Sequence, residues 1–372
     1  CPPLRACCVR RLRLRQLLAD DFLSEFCLIR FIVPEHWERH FQAVITPGAK
    51  DEPLSTMNGE ICMLDQTPIL VLGAGELGMA ILRSLSKRAS QRSNTSLTVL
   101  LRPSTIASHD PAKQRDIAEL RSLGVNILAG DLVEASTAEL ASLFKDFHTV
   151  IGCTGFVTGR RSLLKQAQAA LDAGVRRFLP WQFGVDYDII GRGSAQDLFD
   201  EQLDVRDLLR SQDRMEWIIV STGMFTSFLF EPSFGVVDLA KNTLHALGSW
   251  DTAVTVTTPE DIGELTAEIL FTEPRIANRV VYTAGDTLTY RQLADIIDTV
   301  LNRQVQRVEW PVPLLKDELA QDPDNPLKKY RVVFAEGPGV SWDINQTFNA
   351  QHNIKVKTVE QWVRENLLNH RR

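Results

Sequence analysis

The chain holds 372 residues, 44% of them hydrophobic and 24% charged, with 41 Lys and Arg against 47 Asp and Glu. That length supports a large core, either two domains or one extended α/β unit, and the composition excludes disorder and collagen-like repeats. A net charge of −6 argues against nucleic acid as a partner, and no run of 18 apolar residues exists, so no membrane span is expected.

Residues 1–63 are expected to be an appendage outside the fold. The first 15 positions hold five arginines and no acid, and four of the six cysteines fall within the first 27. Asp20, Asp21 and Glu25 soon interrupt what would otherwise look like a transit peptide. The segment ends in a Pro-, Gly- and acid-rich stretch at 46–53, and Met57 is the expected true start of the chain. Positions 1–50 carry eight basic residues against five acids, a surplus of +3, which leaves −9 for the rest.

From Thr67 the pattern changes. Ile69–Leu72 is a short apolar run of the kind buried in a parallel sheet. The stretch Gly73-Ala74-Gly75-Glu76-Leu77-Gly78 follows it and opens a helical pattern through Leu85. Further apolar runs lie at Leu97–Leu101, Val125–Ala129, Thr149–Ile151, Arg177–Leu179 and Trp217–Val220. Helical patterns separate them near Lys113–Leu123, Thr137–Phe144 and Ser162–Ala173, the last stopping at Gly174 as a C-cap. Six short apolar runs alternating with helices predict an α/β fold with a Rossmann-type, doubly wound parallel sheet over residues 64–225. After Val220 the alternation loosens. Thr258-Pro259-Glu260-Asp261 reads as a capped helix start, and Tyr290–Leu301 and Thr358–Leu368 as amphipathic helices. Residues 226–372 are therefore expected to form a smaller substrate lobe plus late elements of the sheet.

The glycine turn follows a strand and opens a helix, the context in which this spacing binds a dinucleotide. Gly73 allows the tight turn, Gly75 lets the backbone approach a pyrophosphate, and Gly78 lets the helix pack on the strand. Glu76 and Leu77 complete the expected phosphate-binding set, with the anion resting on the helix N-terminus. An NAD site wants an acid at the end of the second strand. Here stands Arg102, followed by Ser104, and an arginine clamps a 2′-phosphate where an acid would repel it. NADP(H) is the expected cofactor. No CxxC, HExxH or histidine cluster occurs, so no metal is expected, and sparse cysteines fit a reducing, cytoplasmic setting.

Several ordered motifs carry a family resemblance over more than 300 residues. They are Gly73–Gly78, Leu101–Thr105, Asp110–Lys113, Gly130-Asp131-Leu132, Arg177–Gly184 and Pro259–Gly263. In these the chain resembles the NmrA-like, isoflavone-reductase-like branch of the atypical short-chain dehydrogenases, most of all its fungal concanamycin-induced-protein-like members. The resemblance implies that Arg102, Ser104 and Lys113 hold the 2′-phosphate and that Asp131 and Leu132 lie near the adenine. It also implies that Thr154, Gly155 and Phe156 line the nicotinamide side, over a floor of Pro180, Gln182 and Phe183.

The chain departs from the family in its proton donor. Short-chain dehydrogenases use Tyr-x-x-x-Lys, in which the lysine lowers the tyrosine pKa. Four residues after Tyr187, Tyr282, Tyr290 and Tyr330 stand Gly191, Asp286, Ala294 and Phe334, so that pair is absent. The isoflavone-reductase branch places a lysine in a Phe-x-x-Lys pattern. The match here is Phe199-Asp200-Glu201-Gln202, and no lysine occurs from Gln166 to Ala240. Gln202 shares a helix face with Leu198, Phe199, Val205 and Leu209, so it points inward. It is read either as a satisfied structural glutamine or as a neutral group that orients substrate.

Residues 186–216 hold nine acids against four arginines, mostly a solvated helix face. An iminium ion becomes a neutral amine on hydride transfer alone. Such a substrate would tolerate Gln202 and benefit from Asp186, with Tyr187 beside it as the third catalytic candidate. Trp181, Phe183, Tyr187, Met224, Phe225 and Phe228 are candidates to line an apolar pocket, or else simply core. Cys153 reads as a small buried residue rather than a nucleophile. The expected function is an NADPH-dependent reductase of a C=C, C=O or C=N bond in a small cyclic secondary metabolite, in a fungal biosynthetic pathway. The alternative is a non-catalytic sensor of NADP(H), which loss of the lysine would suit.

Overall fold

The computed structural model describes residues 67–92 and 94–368, so the expectations for residues 1–63 and for Met57 lie outside the described residues. Six strands appear in chain order before residue 222: β1 (Thr67–Leu72), β2 (Thr95–Leu101), β3 (Asn126–Ala129), β4 (Thr149–Gly152), β5 (Arg177–Leu179) and β6 (Glu216–Ser221). The chain then builds β7 (Met224–Phe225), β8 (Val237–Asp238), β9 (Thr243–Leu247) and β10 (Ala253–Thr257). It returns as β11 (Arg279–Tyr282) and ends with β12 (Asp286–Thr289) and β13 (Gln306–Trp310). The main sheet has seven strands in the order β11-β6-β5-β4-β1-β2-β3, and every pairing in it is parallel. This is the predicted doubly wound sheet, with a seventh strand added at its edge.

The period-2 alternation of the strands explains the two covering layers. Ile69 and Val71 of β1 face one side, where they pack with residues of α1 (Glu76–Ala89) and α6 (Pro259–Phe271). Leu70 and Leu72 face the other, against α3 (Thr137–Phe144), α4 (Ser162–Asp172) and α5 (Leu198–Arg210). Between β2 and β3 runs α2 (Pro111–Ser122), capped by the Asp110 carboxylate accepting from the Ala112 and Lys113 N–H groups. On the first side, α6 lies so close to α1 that a β-carbon on Gly263 would stand 2.5 Å from the Ala80 carbonyl oxygen.

The alternation falters after residue 221 because β7–β10 are inserted before α6 and β11. The strand β11 pairs with β6 from Arg279↔Ile218 to Tyr282↔Ser221. Only Val280 and Val281 are aliphatic, and only Val281 is buried, as suits a sheet edge. The inserted and C-terminal strands form two three-stranded sheets, β12-β10-β7 and β13-β9-β8. They share a core with α7 (Tyr290–Leu301), α8 (Val312–Gln321), α9 (Pro326–Glu336) and α10 (Val359–Leu367). The predicted Thr258 cap is formed, its hydroxyl accepting from Asp261 N–H at 3.1 Å. Thr289 and Thr358 start α7 and α10 with full capping boxes.

Candidate active site

The chain order reverses between β1 and β4, which lie side by side, and such a switch point opens a crevice at the carboxyl ends of the strands. The glycine turn sits in it. Gly73 has φ +96°, and a β-carbon there would meet Thr154 Cγ2 at 2.7 Å. On Gly78 it would stand 2.2 Å from the Gly73 carbonyl oxygen, so α1 rests directly on the turn. On Gly75 it would meet nothing within 4 Å, and no side chain caps the start of α1. The first-turn N–H groups, left without intrahelical acceptors, are presented to open space where an anion fits. Glu76 stands in that turn. Its carboxyl pKa is raised, by crowding of the surrounding protein and then by the Glu260 carboxylate on α6. Leu77, the next residue of α1, is buried.

At the end of β2, Arg102 caps a one-turn helix, Pro103–Ile106, which packs against α2. Arg102, Ser104 and Lys113 are all exposed, and neither cation forms an ion pair among the described residues. Asp131 spends one carboxylate oxygen on the N–H groups of Val133 and Glu134, at 2.8 and 3.2 Å. The Leu132 side chain is buried with Leu70, Leu72 and Leu100, which leaves only its backbone to face a ligand.

After β4, Gly155 has φ +58°, and a β-carbon there would come within 2.9 Å of the Trp181 indole. Phe156 packs edge-on against the same indole, with ring centroids 4.7 Å apart. The Thr154 hydroxyl accepts from the Gln166 amide at 3.4 Å. Pro180 and Phe183 are buried, and Phe183 belongs to the core on the α1 side of the sheet. Gln182 is fully buried. Its amide nitrogen donates to the Gln202 carbonyl at 2.8 Å, and its oxygen accepts from Arg206 Nε at 2.8 Å. The Gln182 and Phe183 side chains of the expected floor thus both lie in the interior, and Gln182 uses one donor and one acceptor of its amide there.

The catalytic candidates also divide. Asp186 caps the one-turn helix Tyr187–Ile190, accepts from the Tyr282 hydroxyl at 2.7 Å and lies 3.7 Å from Arg206 Nη1. Its carboxylate thus already faces the Tyr282 hydroxyl and Arg206, the latter bonded more closely to Asp188 at 2.6 Å. Burial, and next the hydrogen bond to Asp186, raises the Tyr282 pKa. Tyr187 is buried edge-on against Phe199, with centroids 4.9 Å apart, and burial holds its hydroxyl protonated. It is no acid of the short-chain dehydrogenase kind. Gln202 is different: it is fully buried, and neither its amide nitrogen nor its amide oxygen has a hydrogen-bond partner.

Arg206, one turn beyond Gln202, escaped the sequence reading. It is fully buried, bonds Asp188 at 2.6 Å and leaves Nη2 without a partner. Its signal was the spacing Gln202-x-x-x-Arg206 on the inward face. Phe199 and Tyr330 were likewise missing from the expected aromatic set. Phe199 gathers Tyr187, Phe156 (6.4 Å) and Tyr330 (5.8 Å), and Tyr330 leads on to Phe228 (6.1 Å). Trp181, Tyr187 and Phe228 thus belong to one aromatic row, whereas Met224 and Phe225 form β7. Cys153 is buried and burial raises its pKa, as suits a packing residue. Among the described residues no cluster of His, Cys, Asp and Glu could hold a metal, and no helix is long and apolar enough to cross a membrane.

A parallel sheet whose switch point carries an open glycine turn and an uncapped helix start defines the Rossmann class of dinucleotide-binding proteins, and the free Arg102 and Lys113 fit NADP(H). Within that class the chain belongs to the NmrA-like family, which it matches over residues 65–363. It is 47% identical over 298 residues to an NmrA-like family domain-containing oxidoreductase of Gibberella moniliformis, covering 80% of this chain and 97% of that one. Its fold is shared with a crystal structure of isoflavone reductase (TM-score 0.66, 19% identity, 81% of this chain and 99% of the other). It is shared also with the binary complex of leucoanthocyanidin reductase and NADPH from Vitis vinifera (TM-score 0.65, 19% identity, 80% and 98%). The protein is an oxidoreductase of the NmrA and isoflavone-reductase type.

Proposed function

We propose that the protein uses NADPH to reduce a C=C, C=O or C=N bond in a small, ring-bearing secondary metabolite of a fungal biosynthetic pathway. The observation that carries this reading is the Gln202 amide. A buried amide with both ends unpartnered costs free energy, and a ligand that pairs with it removes that cost. It lies on α5, one turn from the aromatic hub Phe199, and its backbone is tied through Gln182 to the loop after β5. The leucoanthocyanidin reductase that shares this fold, crystallised with NADPH, supports a nicotinamide donor.

In this arrangement the first turn of α1 binds the pyrophosphate, and Arg102, Ser104 and Lys113 bind the 2′-phosphate. The segment Thr154–Phe156 bounds the nicotinamide end. Bound NADPH supplies the hydride. The row Phe156–Phe199–Tyr330–Phe228 receives the substrate ring, and the Gln202 amide, a donor and an acceptor at once, sets its orientation. Glutamine has no proton to give. An iminium carbon that accepts hydride passes its π pair to nitrogen and ends as a neutral amine, with no proton needed. A carbonyl or enone takes its proton from solvent. With Asp186 matched by Arg206, selectivity for C=N over C=O rests on this proton balance alone.

The test is NADPH oxidation against enones, aldehydes and cyclic imines, with Gln202→Leu and Gln202→Lys alongside. Turnover of one class is expected, with kcat/KM reduced tenfold or more in Gln202→Leu and NADPH affinity unchanged. The neutral Gln202 also favours a second reading, a sensor that binds without turnover. Discrimination between NADP+ and NADPH, with no class of substrate consumed, would establish the sensor instead.

A further inference from the structure

At the amino ends of the strands, opposite the cofactor crevice, lies a cavity of ≈ 250 Å³ where β1, β2, β4 and β5 begin. The six residues of β1 separate the two ends by about 20 Å. Three guanidinium groups line the cavity: Arg92, Arg177 and Arg275. Arg177 is 5% exposed and anchored by two backbone carbonyls, Nη1 donating to Leu270 at 2.9 Å and Nη2 to Ile276 at 2.6 Å. Its Nε has no hydrogen-bond partner, and the Glu216 carboxylate stands off at 4.0 Å. Arg275 already takes that carboxylate at 2.6 Å, and Arg92 lies over the Phe271 ring at 4.2 Å. Two acids, Glu216 and the lining Glu273, therefore serve three arginines.

His148 also lines the cavity, its Nδ1 sharing a hydrogen bond with the Thr149 hydroxyl at 2.8 Å. Its pKa lies below the ordinary value, through burial and then through Arg176, Arg177 and Arg275. Gathering like charges around open space is unfavourable unless an anion joins them. A water occupies about 30 Å³, so the cavity has room for an oxyanion with several waters.

We propose that this cavity is a second ligand site, for a small oxyanion, in which the guanidinium groups of Arg92, Arg177 and Arg275 receive a phosphate or a carboxylate beside His148. The inference is independent of the reductase reading and uses none of its residues. Its purpose would be regulatory occupancy at the end of the sheet remote from the chemistry.

The experiment follows the ring resonances of His148 in the full chain, identified by their loss in His148→Gln. Inorganic phosphate is titrated at constant ionic strength, with and without saturating NADPH. An anion beside the ring favours the imidazolium, so the His148 pKa is expected to rise saturably, by roughly half a unit or more. The same rise is expected with NADPH present. In Arg92→Gln/Arg275→Gln, whose changed side chains are surface-reaching, the rise should vanish while the fold is kept. Succinate in place of phosphate distinguishes a carboxylate ligand from a phosphate one. A response matched by chloride, unsaturable, unaltered in the double variant or abolished by NADPH overturns the proposal.

Discussion

At Gly78 a methyl group would collide with the backbone of the turn beneath it, while at Gly75 it would enter open space at φ −72°, a conformation any residue adopts. The two positions therefore separate folding from binding. Gly78→Ala is expected to lose about 1–3 kcal/mol in chemical denaturation as α1 is pushed off β1. Gly75→Ala should stay within about 0.5 kcal/mol of the parent yet bind NADPH at least tenfold more weakly, because only the phosphates need that space. Equal losses of stability at both positions would count against this division. The glycine roles were legible from spacing alone because they depend on neighbours within one turn. The inward face of Gln202 was legible too, through the helical period. Its isolation was not, since that depends on Gln182, twenty residues away, donating to its carbonyl rather than to its side chain.

Between elements, α5 is tied to the one-turn helix Tyr187–Ile190 by a cluster of charges around Asp188. Arg210 bonds both carboxylate oxygens, at 2.9 and 2.6 Å, and Arg206 adds a third bond from the interior. These bonds, that of Arg210 first, hold the Asp188 pKa at about 2 against an ordinary 3.8. A carboxyl with a lowered folded-state pKa stabilises the protein fully above its unfolded value and loses that contribution as pH falls. Asp188→Asn is expected to melt below the parent at pH 7, with the gap narrowing between about pH 4 and 2. A gap unchanged through that window would show that the carboxylate contributes packing rather than charge. The same elements mark where sequence reading stops. The acids of residues 186–216 read as a solvated face, and most of their partners, such as Arg192 with Asp204 and Asp207, are indeed exposed. Arg206 carries the same formal charge, yet it is the one drawn inside, because Gln182 and Asp188 bond it there. Likewise β11 offers two valines and no apolar run, and its pairing with β6 across some sixty residues leaves no local signal.

Across the whole molecule, every residue assigned to the dinucleotide crevice lies at or beyond Gly73, and the described core begins at Ile69. A chain beginning at Met57 is expected to bind NADPH as the full chain does. A loss of affinity beyond roughly tenfold, about 1.4 kcal/mol, would show that earlier residues contribute to the crevice. Residues 226–372 contribute both to the smaller sheets and to the main one. The strand β11 and helix α6 belong with the cofactor layer, although some thirty residues of the smaller sheets precede them, and Tyr282 of β11 supplies the hydroxyl bound by Asp186. The two halves of the protein are interleaved, and this limits how specificity can be exchanged among relatives. A chimera joined once, near residue 225, would import a foreign edge strand and α6 together with the new pocket. Replacing two segments, 226–257 and 283–368, while retaining 258–282, would transplant the pocket walls onto an intact sheet.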